Sequence, residues 1–215
     1  MNRIAVFILI ILSSCGKKEA TEKNRIQGKD SVVQNIEIHT QQEEDTVSIP
    51  FSQSLKENGY VYKLKGLESS NGAINFKCIN IFYRNKLHQK IIFDTVSVLN
   101  EREVVFNVDK DANFDGFNDV ELINWAGNYA YSSSFWLYNQ KTKKYDYYKP
   151  MDTIQNIKID AGKREITSDY HIGPANTYSK TYQWKNGKLL MMSAYIEEEG
   201  ELIRMYRKNG RIIIE

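Results

Sequence analysis

The chain has 215 residues, 41% hydrophobic and 26% charged, enough for one globular domain with a real core. Its net charge is +2, and removing residues 1–14, whose one charge is Arg3, leaves +1. That balance gives no electrostatic case for nucleic acid or for an anionic membrane patch. Fourteen tyrosines against three prolines, in a chain rich in Thr, Ile and Val, favour strands over helices.

The N-terminus reads "MNRIAVFILIILSSC": one positive charge, an apolar run over residues 4–12, then small residues. This is a signal-peptide layout, because nine apolar residues are too few for a bilayer span of about 20. The end of the run, Leu12, Ser13, Ser14 and Cys15, resembles the bacterial lipobox. The resemblance implies cleavage before Cys15 and acylation of its thiol and of the new N-terminus. Two or three acyl chains anchor stably where one does not. With Cys15 taken by lipid, Cys78 stands alone in the apolar run "INFKCINIFY", so no disulfide forms within the chain and a buried, inert thiol is expected. Residues 15–46 are polar and without apolar periodicity, the composition of a flexible tether, although "VVQNIEI" within them has strand character.

From about residue 47 the apolar period becomes two. Strands are expected over 60–67, 74–83, 90–99 and 103–108, separated by turns at 68–73, 84–89 and 100–102. Strand–turn–strand units follow over 134–148, 157–168, 180–195 and 202–215, with turn cues at Ala161-Gly162, Asn186-Gly187 and Asn209-Gly210. No segment sustains a helical period. Residues 47–215 therefore form a single all-β, antiparallel domain, either a small propeller-like set of hairpin sheets or a β-sandwich. The stretches "YQWKNGKLL" and "MYRKNGRII" look alike and suggest repeated units.

One segment carries chemistry. In "DANFDGFNDV", Asp111, Asn113, Asp115 and Asp119 occupy positions 1, 3, 5 and 9 of a loop, with Gly116 at position 6. Oxygen donors at these positions, a backbone carbonyl from position 7 (Phe117) and a glycine for the sharp turn are the parts of a calcium loop. Hard oxygen donors without nitrogen or sulfur select Ca2+ over zinc or copper. Position 12 is Leu122 instead of the bidentate glutamate of an EF-hand, and "VELINW" reads as a strand, not a helix. The loop thus resembles the strand-flanked calcium loops of integrin-type propellers and related bacterial repeats. Water, Asp109 or Glu121 are the choices for the remaining ligand.

The loop is followed by a strand, a Gly-Asn turn, "WLYN", a Lys-Thr turn and an aromatic residue. This order resembles a bacterial exported family typified by a calcium-binding, propeller-like lipoprotein that inhibits a lysozyme-type toxin. "YQWKNGKL" is similar to that family's C-terminal strand pair, and the likeness spans roughly residues 103–190. It implies a structural calcium ion at Asp111, Asn113, Asp115, Phe117 and Asp119. It also implies a protein partner, a lysozyme-like hydrolase that the domain blocks.

Nothing in the chain reads as an enzyme. The three histidines, His39, His88 and His171, lack a nucleophile elbow, HExxH, CxxC or phosphate-binding glycine loop around them. "EEEGE" at 197–201 reads as a solvated hairpin tip. Exposed aromatic side chains on two expected surface loops, 128–136 and 169–178, are the expected partner contacts: Tyr129, Tyr131, Tyr170 and His171. The expectation is a monomeric lipoprotein of the bacterial envelope, lipid-anchored at the outer membrane on its periplasmic or surface face. The alternative to inhibition is a surface lipoprotein that binds glycan or scaffolds other envelope proteins.

Overall fold

The computed structural model describes residues 48–215. The expected signal segment, Cys15, the tether and its "VVQNIEI" lie outside the described residues. Fourteen strands make up the domain, with short 3-10 turns at Glu101–Glu103 and Lys149–Met151 and no α-helix among the described residues.

Each strand pairs only with strands next to it in sequence, always antiparallel, and the breaks after β4 and β8 leave three sheets. The first contains β1 (Ile49–Glu57), β2 (Tyr60–Glu68), β3 (Ile74–Tyr83) and β4 (Lys86–Val98). The second contains β5 (Phe106–Lys110), β6 (Asp119–Ala126), β7 (Tyr131–Asn139) and β8 (Lys144–Tyr147). The third runs through β9 (Ile157–Asp160), β10 (Glu165–Ile172), β11 (Asn176–Lys185), β12 (Lys188–Glu198), β13 (Glu201–Lys208) and β14 (Arg211–Ile214). The all-β antiparallel expectation holds, and each sheet is an up-and-down meander, as a propeller blade is. A Greek-key sandwich needs a strand that returns beside an earlier one. No such return occurs among the described strands.

The turns explain the meanders. Asn58-Gly59, Arg84-Asn85, Asn186-Gly187, Glu199-Gly200 and Asn209-Gly210 each place two consecutive residues at positive φ, between 48° and 86°. That is the backbone of the two-residue hairpin whose twist matches the flanking strands, and Asn and Gly tolerate it best. Two expected boundaries shift. The turn expected over 84–89 is only Arg84-Asn85, because β4 begins at Lys86. Ala161-Gly162 lies in a four-residue connection whose positive φ falls on Arg164 and whose Lys163 amide is capped by Asp160 Oδ1 at 3.0 Å. The two similar stretches near the C-terminus are successive hairpins of the third sheet, so they do not mark separate repeated units.

Two clusters form the core. The larger joins the first and second sheets through Tyr62, Leu64, Phe76, Ile79, Val120, Leu122 and Trp136, among others. The smaller joins the second and third sheets, with Phe135, Met151, Ile157 and Ile166 packed against Ala112 and Phe114 of the acidic segment. Each fully buried side chain of this size stabilises by roughly 1.5–3 kcal/mol. The core does not extend to the last strands, where Leu202 and Ile214 are exposed. Cys78 is free, as expected, but half-buried where a buried thiol was expected. It follows a bulge between Phe76 and Cys78, which breaks the in–out alternation of β3.

Candidate metal centre

The acidic segment connects β5 to β6, and its burial alternates. Ala112 and Phe114 are buried, whereas Asp111, Asn113 and Asp115 face away from the core. The apolar even positions thus anchor the loop, and the oxygen-bearing odd positions are left to one side. Gly116 then turns the chain at φ +90°, with open space where a Cβ would sit.

Carboxylates on the inside of this turn hold its shape. Asp111 accepts the Asp115 amide on Oδ1 at 3.1 Å and the Gly116 amide on Oδ2 at 2.7 Å. Asn113 Oδ1 shares the Asp115 amide at 3.1 Å, and Asp115 Oδ1 accepts the Phe117 amide at 3.0 Å. Asp119, the first residue of β6, is only 1% exposed. Its Oδ2 accepts the Ala112 amide and its Oδ1 the Tyr138 amide, both at 2.8 Å. Burial pushes the Asp119 pKa up to about 7; the two amides pull it down, and the charges of Asp115 and Asp111 add to the rise. The buried carboxylate therefore feels the charges of both other acids of the loop.

Among the described residues, no three or more His, Cys, Asp or Glu side chains form a ready-made metal cluster. Asp111, Asp115 and Asp119 therefore do not converge as such a cluster in this structure, and the expected set adds to them the Asn113 amide oxygen and the Phe117 carbonyl. Each carboxylate oxygen offers about two lone-pair sites, so one backbone amide apiece leaves capacity for a cation. Donor chemistry, the turn at Gly116 and the buried charge of Asp119 all fit a hard divalent ion. Glu121 has one engaged oxygen and one, Oε1, that is buried with no hydrogen-bond partner among the described residues. It is 1% exposed, and its Oε2 receives Lys110 Nζ and Asn107 Nδ2, each at 2.7 Å. Asp109 is exposed on β5.

Three contacts tie this loop to distant segments, and local sequence gave no cue to any of them. Trp184 of β11 donates its indole N–H to the Ala112 carbonyl at 2.7 Å. Arg164 donates to the Phe114 carbonyl at 2.7 Å while its guanidinium lies 5.5 Å from the Phe114 ring centre. Asn118 donates to Glu57 Oε1 at 3.2 Å, reaching β1. Phe117 stacks on Tyr138 with centroids 5.3 Å apart. Tyr138 belongs to "WLYN" and Trp184 to "YQWKNGKL", so the motifs that carried the resemblance touch the loop in space.

The expected partner residues lie on a different part of the surface. Tyr129 is 64% exposed in the β6–β7 connection. Tyr131 is the first residue of β7 and packs against the larger core, so the segment 128–136 is mostly buried strand and not a loop. Tyr170 and His171 lie in β10, just before its last residue Ile172, and only residues 173–175 of the expected 169–178 loop form the turn. Tyr170 stacks on Tyr178 at 4.7 Å, nearly parallel, with Lys180 Nζ within 5.6 and 5.8 Å of the two rings. His171 Nδ1 and Thr177 Oγ1 are 3.2 Å apart. Asn156, unforeseen from sequence, joins the two regions. Its Oδ1 accepts the Tyr131 amide at 3.0 Å, and its Nδ2 donates to the carbonyls of Asp169 and Tyr129 at 3.1 and 3.5 Å.

No family model and no curated protein matches the chain. A solved structure, that of a Xanthomonas type IV secretion system related protein, is similar at a TM-score of 0.58 and 14% identity. The match covers 79% of this chain and 97% of that one. What the two share is a fold. No helix among the described residues is long and apolar enough to cross a membrane.

Proposed function

We propose that the chain is a bacterial envelope lipoprotein, anchored through Cys15, whose β domain binds a protein partner and blocks a lysozyme-like hydrolase. Its domain is held closed by calcium at Asp111, Asn113, Asp115, the Phe117 carbonyl and Asp119. Bound there, a hard divalent cation supplies the positive charge that the three carboxylates lack. The role is structural, since carboxylates engaged as ligands and amide acceptors are not free to act as general bases. The observation that carries the reading is the contact of the loop with Tyr138 and Trp184, which makes the sequence resemblance one physical unit. The fold likeness to a protein named for its relation to a secretion system supports an envelope setting for such a role.

The partner surface is the region around Asn156, with Tyr129, Tyr170 and His171 at the surface and Tyr131 supporting them from the core. Aromatic anchors on rigid strands lose little entropy on binding. Tyr170 already spends one ring face on Tyr178, which favours a protein partner over a sugar-stacking platform.

Two measurements test the reading. Titration calorimetry of the full chain in detergent gives calcium heat, and silence at millimolar calcium overturns the metal assignment. Capture from an envelope fraction, with and without chelator, recovers a muramidase whose turnover the protein suppresses. Recovery of polysaccharide without any muramidase overturns the inhibitor assignment.

A further inference from the structure

Away from the acidic loop, the first and second sheets part to leave a cleft of about 550 Å³. One wall is β4 around Phe93 and Asp94; the other is β6 and β7 at Asn124 and Trp136, with Tyr147 and Asp152 beside them. Both walls are bulged. On β4, Val96 pairs with Phe76 and Ile92 with Cys78, so residues 93–95 all face the single intervening residue of β3. On β6, Ile123 pairs with Ser133 and Trp125 with Ser132, which leaves Asn124 extra. A bulge re-aims side chains, and bulges concentrate beside binding sites. The extra Asn124 bonds to Ser132, Ser134 and the Asp152 carbonyl, so the bulge on β6 also fixes the backbone that carries Asp152 beside the cleft.

The walls present one kind of chemistry. Phe93, Trp136 and Tyr147 form an aromatic run with centroids 5.7 and 5.6 Å apart. Asp152 accepts the Tyr147 hydroxyl on Oδ2, while its Oδ1 is buried and has no hydrogen-bond partner among the described residues. Neither Asp94 nor Asp152 belongs to an ion pair among the described residues. Both acids act on the same phenol. Burial raises the Tyr147 pKa most, followed by the Asp152 bond and charge, with Asp94 adding a further rise. Two carboxylates and three aromatic rings therefore face one space.

A buried carboxylate oxygen without a donor is costly, and the matching ligand brings N–H groups, positive charge and a face to lay on an aromatic ring. A guanidinium has all three in one planar group, and its forked donors suit a carboxylate better than an ammonium does. We infer that this cleft binds an alkylguanidinium, the end of an arginine side chain, against Trp136 and Tyr147 with its donors on Asp152 and Asp94. The site is separate from the acidic loop and does not rest on the inhibitor reading.

Calorimetric titration of the full chain in detergent tests it, with butylguanidinium as probe and butylurea as its neutral counterpart. Butylguanidinium binds with measurable heat and butylurea does not. Asp152→Asn and, separately, Asp94→Asn each weaken binding roughly tenfold. Asp94 is exposed on β4, so its substitution leaves the fold intact even if Asp152→Asn does not. An arginine-bearing peptide that binds more tightly than the probe assigns the ligand to a protein; equal affinity assigns it to free guanidinium compounds. Absence of heat with butylguanidinium overturns the inference. So does equal binding of the urea, or an affinity that both substitutions leave unchanged.

Discussion

Replacing Trp184 by Phe probes the joint between the third sheet and the acidic loop. The indole N–H lies 2.7 Å from the carbonyl of Ala112, a residue with 0% exposure. Loss of the donor leaves a buried acceptor unpaired, at a cost of about 1–3 kcal/mol. Loss of one ring from a half-buried indole removes about another 1 kcal/mol of apolar burial. The contact with Tyr148, at 4.8 Å between centroids, survives with a single ring. The sum is roughly 2–4 kcal/mol, or on the order of 10 °C in Tm for a domain of this size. Urea unfolding with calcium and with chelator reads the loss, and calorimetry reads the calcium affinity, which falls because Ala112 is the second residue of the loop. Trp125→Phe is the control, since Trp125 is 49% exposed; it shifts stability by less than about 0.5 kcal/mol. A Trp184→Phe loss no larger than that of the control, with calcium affinity unchanged, would refute the latch.

Gly116→Ala meets no atom within 4 Å but is forced to φ +90°, so it costs about 1–2 kcal/mol through the backbone alone and weakens calcium binding; equal urea midpoints and equal calcium heats would contradict this. Asn156→Ala removes three hydrogen bonds and places a Cβ-bearing residue without a compensating side chain at φ 48°, so a loss of about 2–3 kcal/mol is expected in urea unfolding. The same substitution weakens partner capture, and a variant as stable and as competent as the parent removes Asn156 as the link. Burial, then the charge of Tyr170, pushes the Tyr182 pKa from 10.0 up to about 12, and burial likewise raises Tyr62 and Tyr145, which share a 2.6 Å hydroxyl contact. The folded state therefore keeps protons that the unfolded chain has lost, so this stability is intact below pH 10 and falls as pH rises toward 12. Near-ultraviolet titration shows these tyrosines ionising late, whereas one common transition at the ordinary value contradicts the burial.

Legibility in the sequence followed the range of the interactions. Asn186-Gly187 and Asn209-Gly210 were readable because the two-residue turn selects its own residues. The acidic segment was readable as a tight turn because its Asp and Asn side chains accept amides within a few residues and Gly116 supplies the positive φ. "NYAYSSSFW" was misread as a surface loop because Ser and Asn resemble turn composition. Ser132, Ser133 and Ser134 are instead buried on β7, where the bulged Asn124 bonds to Ser132 and Ser134. Arg164, Trp184 and Asn156 have no local signature, since each acts on a segment far away in the chain. The pairing of Glu121 Oε2 with Lys110 across β5 and β6 has no local signature either.

The contacts of the acidic loop bear on how the domain folds. Each sheet is assembled from strands adjacent in sequence, so each can form from short-range closures that are fast. The loop instead joins residues 61 and 72 positions apart, Glu57 to Asn118 and Ala112 to Trp184. Its ordering is thus a late step, and it converts locally formed meanders into one cooperative unit. On the calcium reading, the ion's concentration sets when that step occurs. On the same reading, a chain kept from calcium stays pliable and becomes rigid only where the ion is plentiful.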